Sequence, residues 1–358
     1  MSTTLSMESS TATEQSFTDF YMRPNLSSNG MVPASNPLCQ SPDICPNGNQ
    51  SLDDFVNVLT NNYSSDPGKD IMQGYDNYIY VRGKNGSTGA VSKQIELYYS
   101  PSSVINWPNQ WVGNQLLTAD SSKYVTVNNI ESSGIGVGNQ CFIWRAVQPP
   151  PSGSDHYCLI GNVNDANNSH PVPGTASPTY EDMSSLVQND LRFSWRNVKL
   201  ISSNAPTWTY NELLTIPQNM VGNQAVQIAV TCPASFAGGS IAFSSSNGSY
   251  SVGKTTIPQI SSGTSFVIGA QKVLSAGFTA SIQVNFWQGN ASPKSGDSIT
   301  LSASYQPATE VEYKRALARK LIHPRHEKLW QQFKNNIVGD SITPYTPVLL
   351  GAVDYKIK

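Results

Sequence analysis

The stretch VQIAVTC, residues 226–232, decides the fold class of this chain. Its apolar side chains Val226, Ile228, Val230 and Cys232 fall on every second position, which is the period of a β-strand with one buried face. The same alternation recurs in SIQVNFW and SITLSASY further along the chain. Short strands at spacings of roughly 8 to 12 residues, with turn signals between them, predict a β-sandwich rather than an α/β fold.

Working outward from this stretch, the sequence predicts two sandwich units. The second unit covers residues 206–307, and its IAFSSSNGSYSV segment contains Asn247-Gly248, a strong hairpin-turn signal. The first unit covers residues 75–205. It opens with NYIYVRGKN and SKQIELYYS, which predict a hairpin or strand pair around Asn85-Gly86.

Parts of the first unit resemble a known class of domains. YIYVRGKNGSTGA and IELYYS, followed by CFIWRAVQPPP, DHYCLIGNV and LRFSWRNVKLI, are similar to the bacterial extracellular immunoglobulin-like (CARDB-type) β-sandwich domains. The resemblance covers about residues 75–202, with long insertions around 101–138 and 164–188. It implies a sandwich fold, and because its motifs are structural it implies little about function.

Two segments flank the predicted sandwiches. Residues 1–74 are rich in Ser, Thr, Asn and Pro with little periodicity, which predicts an extended arm. Residues 308–358 predict a basic amphipathic helix or helical hairpin, since Thr309 and Glu312 form a capping box and Pro324 interrupts the apolar face. The final TPYTPVLLGAVDYKIK predicts a strand that either returns to a sheet of this chain or adds to a neighbour's sheet edge. The predicted fold class is therefore mostly β, with two immunoglobulin-like sandwiches, an arm and a helical segment.

The composition excludes several function classes. Charged residues make up 13% of the chain and the net charge is −2, so the surface as a whole cannot attract a polyanion and no nucleic-acid partner is expected. No apolar stretch approaches the roughly 20 residues of a transmembrane helix. The first residues lack the pattern of a secretory signal peptide. We therefore expect a protein made in the cytoplasm and then released or injected by another route.

No catalytic motif is present, and we predict no catalytic residue, no cofactor and no metal site. Asp155 and His156 are adjacent, so strand geometry would point them to opposite faces and prevent a hydrogen-bonded acid–base pair. The chain has only four histidines, which makes a metal centre less probable. His323 and His326, three positions apart at a helix start, are the best candidates for metal ligands among them. An enzyme with an unrecognised site would need a pocket with a perturbed acid–base pair near Asp155, Asp182 or Glu181.

Three groups of residues are candidates for binding. The predicted C-terminal helix concentrates positive charge that either contacts a partner or forms a solvated face. Four tryptophans that look exposed in the sequence could stack on a ligand such as a sugar, against the alternative of packing in the core or at the seam between domains. Cys39 and Cys45 either close a small disulfide loop or are free thiols. The residues predicted to contact a partner are Lys314, Arg315, Arg319, Lys320, Arg325 and Lys328, and the tryptophans are Trp107, Trp111, Trp208 and Trp287.

These features predict a non-catalytic interaction protein exported without a signal peptide. It would be a cargo, effector or accessory component of a bacterial contractile injection or phage-tail-like particle, with a protein assembly as its partner. The alternative is a secreted toxin or a protein that binds a surface, either a glycan or an anionic membrane. An enzyme with a novel site is the third hypothesis.

Overall fold

The computed structural model describes residues 13–166, 168–172, 179–198, 206–220 and 222–357. In the N-terminal 74 residues it contains β1 (Gln15–Ser16), β2 (Phe20–Tyr21), β3 (Met31–Val32), β4 (Ile44–Pro46) and α1 (Phe55–Asn61). The next elements are β5 (Asn77–Asn85), β6 (Val91–Pro101), α2 (Pro108–Trp111), β7 (Leu117–Thr118), β8 (Tyr124–Ile130), β9 (Ile135–Val137), β10 (Phe142–Trp144), β11 (Tyr157–Asp165), α3 (Tyr180–Asn189) and β12 (Phe193–Asn197).

The remaining elements include the long alternating strands that the sequence predicted. They are β13 (Thr207–Thr215), β14 (Gln224–Pro233), β15 (Ser240–Ser245), β16 (Ser251–Thr256), β17 (Ser265–Leu274), β18 (Thr279–Trp287), β19 (Ser298–Tyr305), α4 (Glu310–Ala318), α5 (Pro324–Phe333), β20 (Ile337–Gly339) and β21 (Val348–Lys356). Among the described residues the fold is therefore mostly β, as predicted.

The first sandwich packs the sheet β12-β11-β6-β8 against a sheet centred on β5. On one edge of β5 lie β4 and β2, which belong to the N-terminal segment, and β10 and β9 pair with β5 as well. Phe20, Met22 and Ile44 are buried in the core between the two sheets. The N-terminal segment thus contributes strands and core side chains to the first sandwich.

The hairpin predicted at Asn85-Gly86 is wrong. Both predicted strands exist, but β5 lies in one sheet and β6 in the other, where β6 pairs with β8 and β11. Asn85 stabilises the connection that leads from one sheet to the other, because its side-chain amide donates to the carbonyls of Gly89 and Ile130 at 2.7 and 2.8 Å. An alternating pattern predicts a strand and its buried face, but does not select its hydrogen-bonding partner.

The second sandwich packs the sheet β13-β18-β15-β16 against the sheet β20-β17-β14-β19-β21. Its second and fifth strands, β14 and β17, pair in one sheet, while its third and sixth, β15 and β18, pair in the other. These are the central pairs of an immunoglobulin-like sandwich. The predicted Asn247-Gly248 turn joins β15 to β16, with Gly248 at φ 74°. The predicted fold class, with two immunoglobulin-like units, is therefore confirmed.

The C-terminal segment packs onto the second sandwich. Thr309 caps α4, since its hydroxyl oxygen accepts a hydrogen bond from the N–H of Glu312 at 3.2 Å. Pro324 begins the separate helix α5. β21 then returns antiparallel to β19, and its inner side chains join a large hydrophobic core that also includes α3 and residues of the first sandwich. Of the two outcomes left open for the last strand, the chain completes its own sheet.

Candidate ligand pocket beneath helix α5

A cavity of about 260 Å³ lies between α5 and the outer face of the five-stranded sheet. Its floor is formed by the outward-pointing residues of β14 and β19, which the alternation leaves polar or small. Its walls are α5, the segment 35–37 and the segment that precedes β21. The lining residues include Ser35, Asn36, Gln227, Thr231, Ser265, Ser302, Ser304, His323, His326, Leu329, Trp330, Phe333 and Thr346.

The lining is rich in hydrogen-bonding groups that the protein itself does not saturate. Asn36 Oδ1, Gln227 Oε1 and Thr346 Oγ1 are buried and have no hydrogen-bond partner among the described residues. Leaving a buried polar atom unpaired costs about 1–3 kcal/mol. A ligand that supplies hydroxyl or amide donors would satisfy these oxygens.

The two histidines of the pocket are neutral at pH 7 and each has a protein partner. Burial lowers the pKa of His323, and burial together with the neighbouring His323 lowers the pKa of His326 to about 4. His323 Nδ1 accepts the Arg325 N–H at 3.0 Å and thereby caps α5. His326 Nε2 lies 3.3 Å from the side-chain nitrogen of Asn36. No carboxylate appears among the described lining residues, and Arg325 is the one permanently charged group there.

The basic residues predicted to form one partner-binding face are divided by the tertiary structure. On α4, Lys314 pairs with Glu310 at 2.8 Å, and Arg315 faces Glu181 of α3, as does Arg319 at the C-terminal end of the helix. The Lys320 ammonium donates to the side-chain oxygen of Gln15. These contacts place much of the predicted face against the chain's own acidic groups.

Five of the six residues are exposed, and the two on α5 differ from the others in their contacts. Arg325 and Lys328, on the first turns of α5, have no ion-pair partner among the described residues, and both border a shallow cavity beside the pocket. An exposed pair of cations without an acidic partner among the described residues therefore lies on α5. We predict contact with a partner for these two residues.

Three of the four tryptophans predicted to stack on a ligand cannot do so. Trp107 and Trp111 are 0% exposed and Trp208 is 8% exposed, so ligand stacking is wrong for these residues. They pack in the large core, where Trp208 stacks on Phe286 at 5.2 Å between ring centroids. Trp287 is partly exposed, but the Lys254 ammonium lies 4.4 Å from its ring centroid and covers a face.

The disulfide considered for Cys39 and Cys45 is not formed, and all five cysteines are free thiols. The two side chains are held by different partners. Cys39 Sγ donates to Asp354 Oδ2 on β21 at 3.0 Å, while Cys45 Sγ donates to the Pro42 carbonyl at 3.2 Å. The free-thiol alternative describes this structure.

The prediction that Asp155 and His156 cannot form a hydrogen-bonded pair is wrong. Asp155 Oδ1 lies 2.7 Å from His156 Nδ1, because both residues lie in a bend before β11 rather than within the strand. The buried Glu212 of β13 approaches the same nitrogen at 3.8 Å. Sequence reasoning missed Glu212, although TWTYNELLT carries a signal: this glutamate shares the apolar face of its strand with Trp208 and Tyr210.

Comparisons with known proteins do not place the chain in a family. No family model matches it, and no curated protein does. Similar solved structures include red sea bream transglutaminase (8% identity, TM-score 0.17, 80% of this chain and 29% of that chain) and an anti-sigma factor domain-containing protein (12%, 0.19, 80% and 93%). Another is the collagen adhesin of S. aureus (6%, 0.18, 65% and 82%). The chain thus spans less than a third of the transglutaminase.

Those TM-scores are too low to carry an argument about function, and the sandwich fold rests on the sheets themselves. None of the helices in the described residues is long and apolar enough to cross a membrane.

Proposed function

We propose that this chain is a binding protein that holds a neutral, hydroxyl-rich ligand, such as one sugar unit of a glycan, in the pocket beneath α5. The observation that carries the proposal is the set of unpaired buried oxygens on Asn36, Gln227 and Thr346 in a pocket lined by serine and threonine hydroxyls. The pocket volume of about 260 Å³ is close to the lower end of the roughly 300–1,000 Å³ of small-molecule sites.

The electrostatics of the pocket support a neutral ligand over an ionic one. His323 and His326 carry no charge at pH 7, because both pKa values are lowered. Arg325 lies on the exposed side of α5, at the rim. A hydroxyl both donates and accepts, and so can bond to the amides and the hydroxyls of this lining. Leu329 and Phe333, which line the pocket and are partly exposed, supply apolar surface for the carbon side of a sugar ring.

Gln227→Met tests this proposal. The substitution keeps the length of the side chain and removes the amide, so we expect the protein to remain folded and its affinity for the glycan to fall about tenfold, the effect of losing about one hydrogen bond. The measurement is a glycan array, followed by calorimetric titration of the sugars that bind. Gln283→Met, on an exposed position of β18, is the matched control and should bind as the parent does.

Two results would overturn this proposal. One is an array without any bound glycan at millimolar sensitivity. The other is a Gln227→Met variant that binds the same sugars with unchanged affinity.

A second candidate function, docking on a protein assembly, is favoured by the exposed Arg325 and Lys328 on α5. We propose that charge reversal of both residues removes this contact, whereas Lys314→Glu, in a position already paired with Glu310, leaves it intact. The measurement is co-purification from the native source, and loss of partners in both variants alike would contradict the assignment.

Three more specific predictions from the sequence also belong to this proposal. Membership of the CARDB-type class, release from the cytoplasm without a signal peptide, and association with an injection or phage-tail-like particle are proposals. A sheath or tube protein recovered in the same co-purification would support the last of them, and leakage of anionic liposomes would favour the toxin alternative.

A further inference from the structure

A buried cluster of metal-ligating side chains lies at the seam between the two sandwiches. Asp155 and His156 come from the segment that leads into β11 of the first sandwich, and Glu212 comes from β13 of the second. One carboxylate oxygen from each acid and a ring nitrogen of the histidine all lie within 4.8 Å of one another. This cluster is separate from the pocket beneath α5.

The distances within the cluster are close to those between the ligands of one metal ion. His156 Nδ1 lies 2.7 Å from Asp155 Oδ1 and 3.8 Å from Glu212 Oε1. Ligand atoms bound at about 2.0–2.2 Å to one tetrahedral ion would be separated by roughly 3.3–3.6 Å, a spacing that lies between these two values. Small side-chain movements would therefore bring the three atoms around one cation.

A hydrogen bond to its second carboxylate oxygen fixes the side chain of Asp155. Its second oxygen, Oδ2, accepts a hydrogen bond from the backbone N–H of Asn211, the residue before Glu212, at 3.1 Å. This bond directs Oδ1 toward the histidine and ties the loop of the first sandwich to β13. The backbone of His156 is fixed as well, because its carbonyl accepts the N–H of Ser102 at 2.9 Å.

Glu212 supplies an independent indication that the cluster binds a ligand. Its side chain is 0% exposed, and neither carboxylate oxygen has a hydrogen-bond partner among the described residues. The Ser102 and Tyr355 hydroxyls lie near enough to favour its ionised form, but neither makes a hydrogen bond of normal geometry with it. An unpaired carboxylate in such a site is costly, and a bound cation would offset that cost.

We propose that Asp155, His156 and Glu212 bind one divalent transition-metal ion of the Zn²⁺ type, which joins the two sandwiches. One imidazole nitrogen and two carboxylate oxygens are ligands that Zn²⁺ accepts, with a water molecule in the fourth position. The site is structural: His156 is 6% exposed and Glu212 0%, so a substrate cannot reach them. The Asp155 side chain, 21% exposed, provides the route by which the ion enters.

The test uses the full chain, treated with a chelator and then titrated with Zn²⁺ and, separately, with Co²⁺. We expect one equivalent of Zn²⁺ to bind, a visible absorption band from bound Co²⁺, and a rise in the midpoint of thermal unfolding with Zn²⁺ concentration, since an ion that binds only the folded state stabilises it. Glu212→Gln keeps the shape of the side chain and should weaken Zn²⁺ binding more than about 100-fold.

The control uses a second histidine–aspartate pair among the described residues. His170 Nε2 lies 2.7 Å from Asp190 Oδ2, but the third side chain there is Arg192, whose guanidinium repels a cation. His170→Asn should therefore leave Zn²⁺ binding unchanged. Asp155→Asn serves in place of Glu212→Gln if the latter does not fold, as judged by circular dichroism.

Two outcomes overturn the proposal. If the folded parent protein binds no stoichiometric Zn²⁺ at micromolar concentration, the cluster is not a metal site. If Zn²⁺ binds equally well to Glu212→Gln and Asp155→Asn, the ion lies elsewhere. Neither outcome depends on whether the pocket beneath α5 binds a glycan.

Discussion

Replacing Asp43 with asparagine is expected to lower the free energy of unfolding by about 3–5 kcal/mol, the cost of leaving a buried charge without its partner. Asp43 is fully buried between two arginines. Arg23 Nη2 donates to Oδ1 at 2.6 Å and Arg23 Nε donates to Oδ2 at 3.0 Å, while Arg82 Nε donates to Oδ1 at 3.2 Å. In the variant, two buried guanidinium groups would face a neutral amide.

Backbone carbonyls satisfy most of the remaining donors of Arg82 and so fix the N-terminal segment around it. Its two terminal nitrogens donate to the carbonyls of Leu59, Asn62, Pro42 and Ser65 at 2.7–3.1 Å. Arg23 also lies over the ring of Tyr63, 3.5 Å from its centroid. Loss of the central carboxylate should therefore loosen the segment 42–65 as well as destabilise the sandwich.

The measurement is urea unfolding followed by circular dichroism, with the slope compared between variants. Asp76→Asn is the matched control: its ion pair with Arg145 is exposed at both ends, and such pairs contribute at most about 1 kcal/mol. A loss below about 1 kcal/mol for Asp43→Asn would contradict the structural role given to this cluster.

Replacing Trp107 with alanine is expected to lower the free energy of unfolding by about 3–5 kcal/mol, the range for removing a large aromatic side chain from a core. Trp107 is 0% exposed and packs edge-on against Tyr180 of α3 with the ring centroids 6.0 Å apart. Its indole N–H donates to the Thr215 carbonyl at 2.5 Å. The substitution leaves a cavity and an unpaired carbonyl where the two sandwiches meet.

The same urea experiment distinguishes a core tryptophan from a ligand-stacking one. Trp287→Ala is the control, since this ring is partly exposed and its cation–π contact with Lys254 is worth about 0.5–1 kcal/mol. If Trp107→Ala kept the stability of the parent and lost glycan binding instead, the ring would be a ligand contact and the core assignment would fail.

The sequence predicted several local features for physical reasons that act over a few residues. Alternation placed Ile282, Val284 and Phe286 on the buried face of a strand, and β18 has that face. Asn247-Gly248 predicted its hairpin because the turn needs a residue with positive φ. Thr309 predicted the start of α4 through the hydrogen bond of an N-cap.

The candidate sites could not be predicted in this way, because each combines residues that are distant in sequence. Asp155 and Glu212 are 57 positions apart by their numbers and meet only when β13 packs beside the loop before β11. Gln227 and Asn36 line one pocket only because α5 covers the outer sheet face. The partial neutralisation of Arg315 and Arg319 likewise depends on α3, which a helix pattern alone does not locate.

By itself, the sequence determined that the chain is mostly β, where most long strands run, which faces they bury, and where two helices begin. The tertiary structure alone decided which sheet each strand joins, which tryptophans are buried, and that Glu212 meets His156. The physical reason is the sequence distance over which each interaction acts. Periodicity, turns and caps depend on neighbours along the chain, whereas strand partners, burial and clusters of charge depend on packing between distant segments.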